Sequence, residues 1–374
     1  WIQLQREYDC MFFVADWHSL TTHYESTEII EDSVWNIVID WLAAGINPGS
    51  ATLFIQSRIP EHAELHLLLS MITPLSWLER VPSYKEQQQK LDERDLSTYG
   101  FLGYPLLQSA DILSYKAGWV PVGADQVPHV ELNRDLARRF NHLYGRDAGF
   151  EQIAEDAIKK LGRKNGKLYR ELRRGFMEQG NQESLEKAQA LLQDQPNISL
   201  GDRDRLFGYL EGGGKIILPE PQTLLTEDSV MPGLDGNKMS KSYGNTITLR
   251  EDSDSVARKI KTMTTDPARV RRNDPGEPDR CPVFSLHKIY SDDKTREWAT
   301  TGCTSAGIGC IDCKKPLIDA ILVEQQPMRE RAQQYEENPE LVKSIVAEGC
   351  EKARIIAKST LEDVRLAMGL DYRS

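Results

Sequence analysis

The sequence predicts an α/β fold: a Rossmann-like parallel-sheet domain followed by a mostly α-helical C-terminal domain. Three observations lead there. Short apolar runs bounded by turn residues alternate with helical periodicity through residues 1–150. A charged, helix-prone stretch, 151–215, then interrupts the pattern and ends in GGG before IILPEPQ. From about residue 253 amphipathic helical spacing takes over, broken by a polar region at 266–315 that contains Pro and Cys.

Taken in order, CMFFVAD and ATLFIQS read as buried strands, and ESTEIIEDSVWNIVIDWLAAGINP between them as a helix stopping at Gly45 and Pro48. GYPLLQSADILSYKAG reads as a helix with Pro105 suited to its first turn. WVPVG is then a strand and HVELNRDLARRFNHLYG a long helix. Strand, helix, strand, helix implies a parallel sheet with crossovers, whose ligands bind at the carboxyl ends of the strands. The final segment, from PLIDAILVEQ onward, reads as several amphipathic helices. The expected division is therefore 1–150 with 216–252 as the sheet domain, 151–215 as a helical insertion, and 253–374 as the helical domain.

A chain of 374 residues exceeds the common single-domain size, and 40% hydrophobic content supports a proper core. No run reaches membrane-spanning length, and no secretory pattern opens the chain, so the expected location is the cytoplasm. WIQLQREYDCMFFVAD begins without Met, in what reads as the end of a helix running into a strand; residues are expected upstream of Trp1. A formal net charge of −11 argues against unspecific nucleic-acid binding over the whole surface but leaves room for a local basic patch. Two basic clusters stand out: Lys159, Lys160, Arg163, Lys164, Lys167, Arg170, Arg173 and Arg174 in the insertion, and Arg269, Arg271 and Arg272 further on. Each reads as a solvated face or as a surface for phosphates.

Helical spacing places Tyr104, Gln108 and Asp111 on one face, at i, i+4 and i+7. They form either an ordinary polar face or an amino-acid pocket in which Asp111 accepts from a buried donor while Tyr104 and Gln108 hold an ammonium group. In VGADQVPH, Gly123 permits close backbone approach and Asp125 could accept from ribose hydroxyls, or the Asp simply caps the next helix. His18 follows the first strand, where it could meet a ligand or be structural. PGLDGNKMSKSYGNTITL carries Lys238, Ser240, Lys241 and Ser242 between glycines, a set of cations and hydroxyls suited to phosphate oxygens. Cys281, Cys303, Cys310 and Cys313 have the spacing C-x21-C-x6-C-x2-C, which suits a tetrahedral zinc or an iron–sulfur cluster. Cys10 and Cys350 read as bystanders.

KMSKS resembles the loop motif of class I aminoacyl-tRNA synthetases, and GYPLLQSADILSYKA, VPVGADQVPHVELNRDLARRFNHLYG and the C-terminal helices resemble the tryptophanyl-tRNA synthetase family. The likeness covers nearly the whole chain except 151–215. It implies that Asp111 accepts the indole N–H, with Tyr104, Gln108, Gln126 and His18 around L-tryptophan. It implies further that Gly123, Ala124 and Asp125 lie at the ATP ribose, Met231 near adenine, and Lys238, Met239, Ser240, Lys241 and Ser242 at the phosphates, with Lys238, Lys241 and Ser242 catalytic. Ala124 departs from the Glu usual in the family, and the His-x-Gly-His type stretch of the class is absent and expected before Trp1. The resemblance implies ATP with Mg²⁺, tRNA(Trp), a homodimer, an anticodon-binding role for the helical domain, and a [4Fe–4S] cluster rather than Zn²⁺ on the four cysteines. The nearest rival is a tyrosyl-tRNA synthetase, since an Asp serves an indole N–H or a phenol O–H; a synthetase-like RNA-binding protein without charging activity is the other.

Overall fold

The computed structural model describes residues 1–81, 98–146, 149–179, 181–210, 214–225, 231–240 and 244–372. In chain order the elements are β1 (Cys10–Val14), α1 (Asp16–His23), α2 (Glu28–Ala44), β2 (Ala51–Ile55), α3 (Glu61–Ser70), α4 (Leu75–Glu79), α5 (Tyr99–Leu113), β3 (Trp119–Val122), α6 (Val127–Tyr144), α7 (Phe150–Lys160), α8 (Gly162–Gln179), α9 (Gln182–Gln193), α10 (Leu200–Leu210) and β4 (Gln222–Leu225). They continue as α11 (Ser253–Thr262), α12 (Pro282–Tyr290), α13 (Asp293–Thr304), α14 (Cys310–Glu336) and α15 (Pro339–Ala367). The chain forms two compact units: Trp1–Val14, Glu28–Phe54 and Glu227–Gly349 in one, Ala15–Thr27, Ile55–Thr226 and Cys350–Ser374 in the other. Among the described residues, no helix is long and apolar enough to cross a membrane.

In the first unit β1 pairs with β2. The helix α2 ends at Gly45, whose φ of +118° only glycine adopts without strain. Its inner face packs on α14, and Val256, Ile260, Leu286, Leu317 and Ile321 fill a core shared by α11, α12 and α14. The C-terminal pattern resolves into two long helices, α14 of 27 residues and α15 of 29, rather than several shorter ones. Pro316 and Pro327 stand inside α14 without ending it.

The second unit holds the parallel pair β3–β4, in register from Trp119 opposite Gln222 to Val122 opposite Leu225. Its core joins α3, α5 and α6 through Leu65, Leu69, Leu106, Leu113, Leu136 and Phe140. Here the sequence reading needs two corrections. His18 sits on a separate helix, α1, because DWHSLTTH turns helical directly after the strand. And α5 begins at Tyr99, capped by the Thr98 hydroxyl accepting from the Phe101 N–H, so Pro105 lies in its interior rather than its first turn.

The charged segment packs α7 to α10 around a core of its own, with Ile158, Tyr169, Leu192 and Leu206 fully enclosed. The Tyr169 hydroxyl donates to the Leu206 carbonyl at 2.6 Å. The segment closes where it opened: the Lys215 N–H donates to the Gly145 carbonyl at 2.7 Å. Asn141 clasps the returning chain, accepting from the Ile217 and Leu218 N–H groups and donating to the Leu218 carbonyl. The backbones approach so closely that a Cβ on Gly145 would stand 2.4 Å from the Lys215 oxygen.

Candidate active site

Asp111 is 1% exposed, on the inner face of α5, and its carboxylate is met by side chains from three other segments. His18 Nε2, from α1, lies 2.8 Å from Oδ2. Gln56 Nε2, in the turn after β2, donates to Oδ1 at 2.7 Å, and His62 Nδ1, on α3, stands 2.9 Å from the same oxygen. Burial alone would push this carboxyl up, but the hydrogen bonds from His18 and His62 outweigh it and hold it below the usual carboxylate range. Asp111 is therefore a buried anion, fully ionised at neutral pH.

The donors are themselves held. The Gln56 amide oxygen accepts from the Trp17 N–H at 3.1 Å, while Asp16 accepts from the Ser57 N–H and hydroxyl, so the start of α1 is tied to the turn after β2. His62 Nε2 lies 2.6 Å from the Tyr115 hydroxyl, whose ionisation burial suppresses strongly. Tyr104 forms an edge contact with His18 at 6.5 Å and a tilted contact with the His129 ring at 5.8 Å. Burial lowers both His66 and His129 below the ordinary histidine value, keeping them neutral at pH 7. The fold thus unites Asp111, His18 and Tyr104; Gln108 lies half-buried on the same helix. A polar face turned to solvent is ruled out for Asp111.

Sequence reasoning missed Gln56, His62, His66, His129 and Tyr115. Gln56 was findable: it follows a strand's carboxyl end, the rule that singled out His18. The others lie on the inner faces of α3 and α6 or just beyond α5, where nothing local marks them. Gly123, Ala124, Asp125 and Gln126 form the turn between β3 and α6, with Ala124 and Asp125 exposed. The Gln126 amide donates to Asp125 at 3.0 Å, and no side chain caps α6, so Asp125 is not a cap.

The lysine loop belongs to the first unit. Pro232 and Lys238 bridge antiparallel, the Met239 N–H donates to the Met231 carbonyl at 2.8 Å, and Gly236 turns the chain with φ of +87°. Lys238 is exposed; Met239 and Ser240 are half-buried, and Met231 packs against the core of α11, α12 and α14. Lys241 and Ser242 lie outside the described residues.

The four clustered cysteines are free thiols in the same unit. Burial pushes the Cys313 thiol up to about 12, with the charges of Cys281, Cys303 and Cys310 adding to it. Cys313 Sγ lies 3.5 Å from His287 Nε2. Among the described residues, no group of three or more His, Cys, Asp or Glu is set to hold a metal ion. Arg269 is 8% exposed and donates to the Arg272 and Ile308 carbonyls, with Cys303 Sγ at 3.8 Å. It braces the cysteine loop instead of offering charge to phosphates. In the charged segment, Lys159, Lys160 and Arg170 are paired with Asp156, Asp202 and Glu155. Cys350 is buried and Cys10 half-buried.

A family model described as tRNA synthetases class I (W and Y) matches residues 1–159 and 194–322. A tryptophan–tRNA ligase from Ralstonia nicotianae is 67% identical over 372 residues, spanning 100% of this chain and 93% of that protein. One from Thermotoga maritima is 40% identical, with the same coverage. Among solved structures, the tryptophanyl-tRNA synthetase from Campylobacter jejuni complexed with ADP and tryptophan aligns with a TM-score of 0.71 at 25% identity, over 99% of this chain and 92% of that one. A tyrosyl-tRNA synthetase from Archaeoglobus fulgidus, 17% identical, shares the fold at a TM-score of 0.50 over 88% of this chain and 82% of its own. With its profile spread along most of the sequence and its relatives spanning it from end to end, the chain belongs to the class I aminoacyl-tRNA synthetases of the tryptophan and tyrosine group, among the tryptophan–tRNA ligases.

Proposed function

We propose that the chain activates L-tryptophan with ATP and passes the acyl group to tRNA(Trp). The observation that carries this is the 67% identity to a tryptophan–tRNA ligase across 100% of the chain. The tryptophan carboxylate attacks the α-phosphate of ATP, pyrophosphate leaves, and the adenylate then yields its acyl group to the terminal ribose of the tRNA. No side-chain nucleophile is required; positioning and electrostatics carry the chemistry, with Mg²⁺ accompanying ATP.

Asp111 takes the indole N–H. A carboxylate offers about four acceptor positions; His18 and Gln56 take two of them, and the His62 ring crowds a third at 2.9 Å. What remains suits a donor and repels any acceptor. Tyr104, His18, Gln108 and Gln126 surround the amino acid. Gly123, Ala124 and Asp125 serve the ATP ribose and Met231 the adenine. Lys238, Met239, Ser240, Lys241 and Ser242 serve the phosphates, where ammonium charge stabilises the negative charge that grows in the transition state. Residues 1–150 and 216–252 carry activation, 253–374 the anticodon side, and 151–215 is an insertion. A homodimer fits Leu67 on α3 and Met71 at its C-terminal cap, 54% and 67% exposed.

The four cysteines are assigned to a [4Fe–4S] cluster. Support comes from the spacing C-x21-C-x6-C-x2-C of four free thiols, all in one compact unit. When bound, the cluster would relieve the mutual repulsion of four thiolates; no step of the reaction is assigned to it.

The test is amino-acid-dependent exchange of pyrophosphate into ATP. Tryptophan should stimulate exchange and tyrosine should not; exchange driven by tyrosine alone would overturn the assignment.

A further inference from the structure

We propose that Asn245, just beyond the lysine loop, is the positioning residue that sets the loop's geometry, an inference that rests on the reading of that loop as the phosphate clamp. Asn245 is 4% exposed and spends its entire side chain inside the loop. Its amide oxygen accepts from the Ser240 N–H at 2.8 Å. Its amide nitrogen donates to Asp235 Oδ1 at 2.7 Å and to the Lys238 carbonyl at 3.1 Å. Its own carbonyl accepts from the Leu234 N–H at 3.0 Å. One buried side chain therefore grips both arms of the loop at three places, two of them within the KMS run.

The surroundings are shaped to admit this side chain. A Cβ on Gly233 would stand 2.3 Å from Asn245 Nδ2 and 2.5 Å from its Cγ, so only glycine leaves room. Asp235 presents its carboxylate to Asn245 while also accepting from the Asn237 N–H at 3.1 Å and side-chain amide at 3.0 Å. Hydrogen bonds from Asn237 and Asn245 hold Asp235 below the usual carboxylate range, so it remains an acceptor at neutral pH. A glycine-punctuated loop acquires a defined shape from one amide with two donors and an acceptor. The Lys238 ammonium itself stays exposed. Two of the Asn245 bonds fall on the backbone on either side of Met239, so they fix the course of the chain that carries Lys238.

The experiment compares steady-state exchange for Lys238→Ala, Asn245→Ala, Gly233→Ala, Asn245→Asp and the pair Asp235→Asn with Asn245→Asp. Misplacing a reacting group by about 1 Å costs on the order of 10²-fold. Asn245→Ala should therefore lower kcat by roughly 10- to 100-fold while KM for tryptophan stays within about twofold. Gly233→Ala should reproduce it by expelling the amide. Asn245→Asp alone sets two carboxylates together and should be at least as damaging. The double substitution restores a donor–acceptor pair and should recover part of the loss, which a merely misfolded loop would not do. If Lys238→Ala leaves exchange unchanged, the phosphate-clamp reading falls. If Lys238→Ala abolishes exchange while the Asn245 and Gly233 variants keep wild-type kcat, the positioning role falls.

Discussion

Two donors, from His18 and Gln56, and the His62 ring converge on the Asp111 carboxylate at distances between 2.7 and 2.9 Å. Because Asp111 titrates below the usual carboxylate range, its acceptor role is fully present at neutral pH. The stability it contributes is held above the unfolded carboxylate value of about 3.9 and is lost only as pH falls through the lower folded value. The lowered His66 and His129 act earlier: the unfolded chain takes up their protons below about pH 6.5 while the folded chain resists. Denaturant midpoints should thus fall between pH 7 and pH 5, before Asp111 is touched, and a flat profile across that window would contradict the placement of these rings. Gln56→Glu tests the pocket directly. One proton shared between the new carboxyl and Asp111 keeps the donor in place at acid pH; as pH rises that proton leaves and two anions face each other. We expect kcat/KM for tryptophan to fall as pH rises, by tenfold or more, roughly 1.4 kcal/mol, where the wild type stays level; parallel profiles would remove Gln56 from the pocket. Asp111 itself was legible from helical spacing, since a carboxylate among Leu106, Leu107 and Ile112 demands donors. Which donors answer it was not, because Gln56 and His62 lie 55 and 49 positions away in a chain of 374 residues.

Elements succeed or fail here at their joints. α6 ends at Gly145 against the backbone of Gly214 and Lys215, with Asn141 tying the returning chain down. Gly145→Ala would drive a methyl into a carbonyl oxygen that has no freedom to retreat. We expect a loss of about 1–3 kcal/mol, read as a lower thermal midpoint, and an unchanged midpoint would mean the charged segment closes elsewhere. The strands β1 to β3 and the helices α2 and α6 were legible, since their apolar periodicity is strong and their ends carry Gly or Pro. Pro105 misled, because a proline is tolerated inside a helix once tertiary burial outweighs its missing N–H. α1 escaped notice because DWHSLTTH is short and weakly patterned, and packing against the turn after β2 decides it.

For the molecule as a whole, the four cysteines give the broadest test. Anaerobically purified protein should be brown and carry about four irons per chain, and Cys313→Ser should bleach it; a colourless protein with one zinc per chain would overturn the cluster. The pattern of apolar runs by itself determined the α/β class and the helical character of the charged segment and of the C-terminal stretch, because periodicity is local. The motif strings determined the family, because KMSKS and its flanking segments are contiguous. Only the tertiary structure decided that Asp111 is a loaded anion, that Arg269 is a brace buried beside Cys303, and that Asn245 locks the lysine loop. Each depends on which partner fills a particular hydrogen-bonding position, and burial assigns those partners across stretches of chain that no local pattern links.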